Sequence, residues 1–128
     1  MVRRKMFRLG DLQLRIMKIL WQRGEATVAD VLSSLSGPTD LAYTTIATML
    51  RKMEVKGLVT HRIEGRTFVY RPRAREEEVT RTMSDHLVDR VFEGSLTEVV
   101  SHLLSTREVS KDELETLEQL IAERKKGV

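Results

Sequence analysis

Leu41-Ala42-Tyr43-Thr44-Thr45-Ile46-Ala47-Thr48-Met49-Leu50-Arg51-Lys52-Met53-Glu54-Val55-Lys56-Gly57 is followed at once by Leu58-Val59-Thr60-His61-Arg62-Ile63-Glu64-Gly65-Arg66-Thr67-Phe68-Val69-Tyr70-Arg71-Pro72. In the first stretch Ile46, Met49, Leu50 and Met53 recur every three or four residues, the spacing that lines one side of a helix. A helix is predicted from about residue 42 to residue 56, closed by Gly57, where a left-handed C-terminal cap favours a residue without Cβ. Beyond Gly57 the pattern changes. Residues 58–63 and 66–71 are rich in β-formers and flank Glu64-Gly65, which reads as a tight hairpin.

Two further helices precede this pair. Leu12, Ile16, Ile19 and Leu20 share a helical face, with Asp11 near its start and Gly24 past its end. Thr27-Val28-Ala29-Asp30 resembles a capping box with Asp in place of Glu or Gln, opening a short helix that carries Val28, Val31, Leu32 and Leu35. Ser36-Gly37-Pro38-Thr39-Asp40 is a turn by composition. Three helices and then a hairpin is the order of a winged helix-turn-helix.

The sharpest boundary is Arg71-Pro72-Arg73-Ala74-Arg75-Glu76-Glu77-Glu78, because Pro72 disfavours helix at Arg71 and the charge then changes sign. Residues 1–75 hold 15 Lys and Arg against 6 Asp and Glu, a net +9. Residues 76–128 hold 7 against 13, a net −6, and the whole chain carries only +3. A basic front suits a polyanion and an acidic back avoids it.

After the boundary, Val79, Met83, Leu87 and Val91 step by four along one long helix that Gly94 ends. Ser95-Leu96-Thr97-Glu98 and Ser110-Lys111-Asp112-Glu113 read as capping boxes. They open helices carrying Leu96, Val99, Val100, Leu103 and Leu104, and Leu114, Leu117, Leu120 and Ile121. Three thin amphipathic helices bury too little surface to stand alone. The economical partner for their apolar stripes is a second copy of the chain. The expected architecture is mainly α, with a winged helix-turn-helix DNA-binding domain at 1–73 and a helical dimerisation domain at 74–128. The expected dimer contacts are Val79, Met83, Leu87, Val91, Val99, Leu103, Leu117, Leu120 and Ile121.

Composition removes several function classes. The 128 residues leave room for one domain, or a small one with an appendage. At 41% hydrophobic and 32% charged the chain can build a core, and with 5% aromatics the packing falls to Leu, Val, Ile and Met. There is no Cys, which excludes disulfides, thiolate metal sites and cysteine nucleophiles and fits a reducing compartment. His61, His86 and His102 lack ligand spacing, so no metal site is expected. No phosphate loop or nucleophile elbow is present, and the carboxylates of Glu76-Glu77-Glu78 splay around a helix rather than pair. Neither enzyme nor cofactor is expected. No apolar run approaches the roughly 20 residues of a membrane span, and no apolar signal segment follows Met1-Val2-Arg3-Arg4-Lys5. The expectation is a soluble cytoplasmic protein without membrane insertion.

Removing the inward positions of the third helix leaves Tyr43, Thr44, Thr48, Arg51 and Lys52, with Thr45 and Ala47, for the outward side. Thr and Tyr hydroxyls bond phosphates or bases, Thr methyls pack on thymine methyls, and Arg grips guanine or phosphate. Short side chains come first and long ones later, as a helix entering the major groove by its first turn requires. Arg62 and Arg66 beside the hairpin tip, and an arm of Arg3, Arg4, Lys5 and Arg8, add charge for the DNA backbone.

Leu9-Gly10-Asp11-Leu12, Met17-Lys18-Ile19-Leu20-Trp21, Thr27 to Val31, Leu41 to Ile46 with Leu50-Arg51, Lys56-Gly57-Leu58-Val59 and Tyr70-Arg71-Pro72 together resemble the penicillinase-repressor family, of BlaI and MecI type. The resemblance spans the chain and is most specific from Ala42 to Tyr70. It implies homodimers that bind dyad-symmetric double-stranded operator DNA and block transcription. It also implies base or backbone contact by Tyr43, Thr44, Thr45, Thr48, Arg51 and Lys52, with Arg66 in the wing. In the beta-lactam branch a membrane sensor protease system leads to a cut within the dimerisation domain. That bond aligns near His102-Leu103, where the family's usual Asn-Phe is absent. The related CopY copper repressors use a C-terminal cysteine cluster, which a chain without Cys cannot form. Two other readings stand beside this one: a winged helix that binds an acidic protein, and a repressor released by a small ligand.

Overall fold

The computed structural model describes residues 9–35 and 41–128, so the expected basic arm at Arg3, Arg4, Lys5 and Arg8 and the expected turn at 36–40 lie outside the described residues. α1 (Asp11–Arg23) turns Ile16, Met17 and Leu20 fully inward, and it ends where Gly24 takes φ 86° and donates its N–H to Leu20 O. α2 (Val28–Ser34) starts on a capping box closed from both sides. Thr27 Oγ1 accepts from the Asp30 amide at 3.1 Å, and Asp30 Oδ2 accepts from the Thr27 amide at 3.0 Å. The Thr27 backbone bond, then its hydroxyl, hold the Asp30 carboxyl below its ordinary pKa. α3 (Tyr43–Val55) buries Ile46, Leu50 and Met53 against α1 and α2.

β1 (Ala26–Thr27), β2 (Val59–Glu64) and β3 (Thr67–Pro72) make an antiparallel sheet in the order β1-β3-β2. β1 has no signature in the sequence. Two residues carry no periodicity, and Ala26 and Thr27 are strand only because they lie opposite Tyr70 and Val69. In the hairpin Glu64 pairs with Thr67, so the two loop residues are Gly65 and Arg66, one position later than expected. Gly65 has φ 65°, as the first loop position of a type II′ turn demands.

Polar atoms tie this core together at two places. Gln13, 8% exposed, donates from Nε2 to Met49 Sδ at 3.4 Å, and Trp21 Nε1 donates to Ala74 O at 2.9 Å. Ala74 and Val79 belong to the same core, and Met83 packs against it.

The last three elements are helices: α4 (Glu76–Val91), α5 (Leu96–Thr106) and α6 (Lys111–Lys126). The chain forms two compact units, Met1–Asp85 and His86–Val128, so the division falls inside α4. The boundary read at residue 73 follows the end of β3 by one residue. In the second unit Ser95 Oγ and Ser110 Oγ each accept from an amide three residues on, both at 3.1 Å. Among the described residues only Thr27 and Asp30 close a capping box reciprocally. The Phe92 and His102 rings meet at 5.6 Å, and Val99 is buried. Among the described residues no helix is long and apolar enough to cross a membrane.

Candidate nucleic-acid interface

Burial of Ile46, Leu50 and Met53 decides which way α3 points its other residues. Tyr43, Thr44, Thr45, Thr48, Arg51 and Lys52 are all exposed, on the side away from the core. Among the described residues no side chain caps the start of α3, and the Thr45 amide donates to Ala42 O at 3.0 Å. At the other end a Schellman arrangement stops the helix: Leu58 N donates to Met53 O and Gly57 N to Glu54 O, both at 2.9 Å, with Gly57 at φ 82°. That stop sends the chain directly into β2. Only Lys56, Gly57 and Leu58 separate α3 from the wing.

The wing is anchored to its surroundings through β2. His61 Nδ1 lies 2.6 Å from Glu54 Oε1 on α3, and the imidazole stacks on Phe68 with centroids 4.2 Å apart and planes 11° from parallel. Arg62, on the opposite face of the strand, donates to Glu25 Oε1 at 2.9 Å and to Glu64 Oε2 at 2.7 Å. The bond to Glu25, then that to Glu64, raises the Arg62 pKa above its ordinary value. Arg62, expected at the DNA, thus has two carboxylates already. Arg66 sits in the exposed loop and makes no ion pair among the described residues. Burial raises the pKa of the Tyr70 phenol, Glu54 adds to the shift and Arg51 opposes it.

The expected dimer contacts separate into groups. Val79 is 1% exposed in the core of the first unit, which leaves no surface for a second chain, and Met83 is half-buried there. Val99 is buried and Leu117 half-buried in the second unit. Leu87, Val91, Leu103, Leu120 and Ile121 are exposed. His102 and Leu103 lie in the C-terminal part of α5, and His102 O accepts the Ser105 hydroxyl at 3.0 Å and the Thr106 hydroxyl at 2.8 Å.

Sequence reasoning missed the anchoring carboxylates Glu25 and Glu54 and the buried Gln13. Arg62 and Glu25 are 37 positions apart, and no periodicity relates them. The exposed apolar pair Ile63 and Phe68, which face each other across the hairpin, also went unread, although their alternation with Arg62 and Val69 was visible.

A family model described as penicillinase repressor matches residues 9–123. The chain is 30% identical over 122 residues to the penicillinase repressor of Bacillus licheniformis, covering 95% of each. It is 37% identical over 125 residues to the transcriptional regulator BlaI of Mycobacterium tuberculosis, covering 96% of this chain and 89% of that one. Among solved structures it resembles the DNA-binding domain of the repressor BlaI in solution, with TM-score 0.50 and 33% identity over 59% of this chain and 93% of that one.

Proposed function

The chain belongs to the penicillinase repressor family, and from that premise we propose that it is a cytoplasmic, homodimeric, sequence-specific DNA-binding repressor of transcription rather than an enzyme. The observation that carries the reading is the exposed row of Tyr43, Thr44, Thr45, Thr48, Arg51 and Lys52 on a helix whose other face is buried. The first four residues contact bases or phosphates in the major groove, and Arg51 and Lys52 reach further along it. Arg66 meets the backbone beside the groove. We assign DNA contact to residues 1–73 and dimerisation to 74–128, with Leu87, Val91, Leu103, Leu120 and Ile121 as the contacts between chains.

Relief by proteolysis at His102-Leu103 then requires the end of α5 to unwind, because the His102 carbonyl already holds two hydroxyls. A cut there would weaken the dimer and so the joint grip on two half-sites, which gain from effective concentration. A chain truncated at His102 that dimerises and holds the operator like the intact chain rules this mode of relief out and leaves release by a small ligand.

Binding to the chain's own promoter fragment, measured against random DNA of equal length across a salt series, tests the reading. We expect clear preference for the promoter and steep weakening with salt. Equal, salt-insensitive binding to both would favour a protein–protein module instead.

A further inference from the structure

Resting on the DNA-binding reading, we infer that the Glu54–His61 pair is a positioning element that fixes the attitude of the wing to α3 and so brings Arg66 to the DNA backbone. Neither residue is itself a DNA contact in this scheme. Glu54 is the last carboxylate of α3 and His61 is the third residue of β2, and their 2.6 Å contact spans the Schellman turn at Gly57. The turn fixes where β2 begins, and the β1–β3 ladder with the buried Val59 and Tyr70 holds the base of the hairpin. The pair adds a direct side-chain tie from α3 to β2.

Burial sets this contact apart from the wing's ion pairs. The His61 and Glu54 side chains are 26% and 33% exposed, and the imidazole lies flat on Phe68. Arg62 and its partners Glu25 and Glu64 are half-exposed or more, where ion pairs contribute little. Arg62–Glu25 braces the other face of β2. The register then sets the reach: from His61 the strand runs three residues to Glu64, and Arg66 follows in the turn. A small change of inclination at His61 is magnified at the tip.

Glu54 makes the inference sharp, because charge and positioning predict opposite signs. A carboxylate one turn beyond Arg51 and Lys52, beside a surface that meets phosphates, repels DNA. On charge alone Glu54→Ala binds DNA more tightly. On the positioning account it binds more weakly, since the wing loses its hold and Arg66 its phosphate.

The experiment measures promoter affinity against salt for the full chain and for Glu54→Ala, His61→Ala, Arg66→Ala and the Glu54→Ala/Arg66→Ala double variant, each confirmed as folded by its thermal melt. Glu54→Ala and His61→Ala are expected to weaken binding roughly three- to tenfold and to lower the salt slope by about one unit, as Arg66→Ala does. The double variant should lose no more slope than Arg66→Ala alone. Equal or tighter binding by Glu54→Ala overturns the inference, as does a loss that adds fully to that of Arg66→Ala with the slope unchanged. If His61→Ala fails to fold for want of its stacking on Phe68, Glu54→Ala decides. An unmutated chain that shows no salt-sensitive preference for the promoter overturns the DNA reading itself, and this inference with it.

Discussion

The two units use similar apolar residues to different ends. In the first, Ile16, Met17, Leu20, Val31, Ile46, Leu50 and Met53 are completely buried, and α1, α2 and α3 share one core with Tyr70 of the sheet. In the second, three amphipathic helices leave Leu120 62% and Ile121 56% exposed, and Val99 is the one buried apolar residue among those described. Helical periodicity is present in both, so periodicity alone does not tell a filled core from an unfilled one. What differs is whether another element of the same chain covers the stripe. The first unit is stabilised by its own packing; the second retains an apolar face that a second chain can cover.

The largest expected effect breaks that comparison at its strong end. Leu50→Ala opens a cavity among Ile16, Ile46 and their neighbours, and should cost about 2–5 kcal/mol in denaturant unfolding. In the second unit, Leu120→Asp with Ile121→Asp should leave the fold of the first unit intact and convert dimer to monomer by sedimentation. Promoter affinity should then fall by about 10²-fold or more as the linked half-sites separate. If the mass does not change, those side chains are not between chains. Arg51→Ala is expected to cost about 1–3 kcal/mol of promoter binding, with melt and dimer mass unchanged. That would assign the reading face wholly to the first unit.

The smallest effects concern the cap of α2. Thr27→Ala should destabilise by about 1 kcal/mol. Asp30 has a folded-state pKa below its unfolded one, so its contribution is present above the unfolded value and is lost as pH falls through the folded one. The melting difference between the natural chain and Asp30→Asn should accordingly be largest near neutrality and vanish in acid.

The elements that were legible in the sequence are those that local rules specify. The α3 stripe, Gly57 as its stop, the Thr27–Asp30 cap and the β-rich runs each depend on neighbours within a few residues. The parts that were not legible depend on distant partners. β1 exists because β3 offers it a ladder, and Val79 is buried because the start of α4 packs onto the first core. The same limit applied to the site. Exposure of Thr44, Thr48 and Arg51 follows from the burial of Ile46, Leu50 and Met53, which periodicity supplies. The capture of Arg62 by Glu25 and the contact of His61 with Glu54 arise only once the hairpin is folded back.

A hydroxyl-radical footprint of the intact chain on its own promoter fragment tests the central claim most directly, that a dimer held by the second unit presents two copies of α3 to DNA. The account predicts two protected patches related by a dyad, their centres about 10 bp or a multiple apart. A single protected patch without dyad symmetry would contradict it.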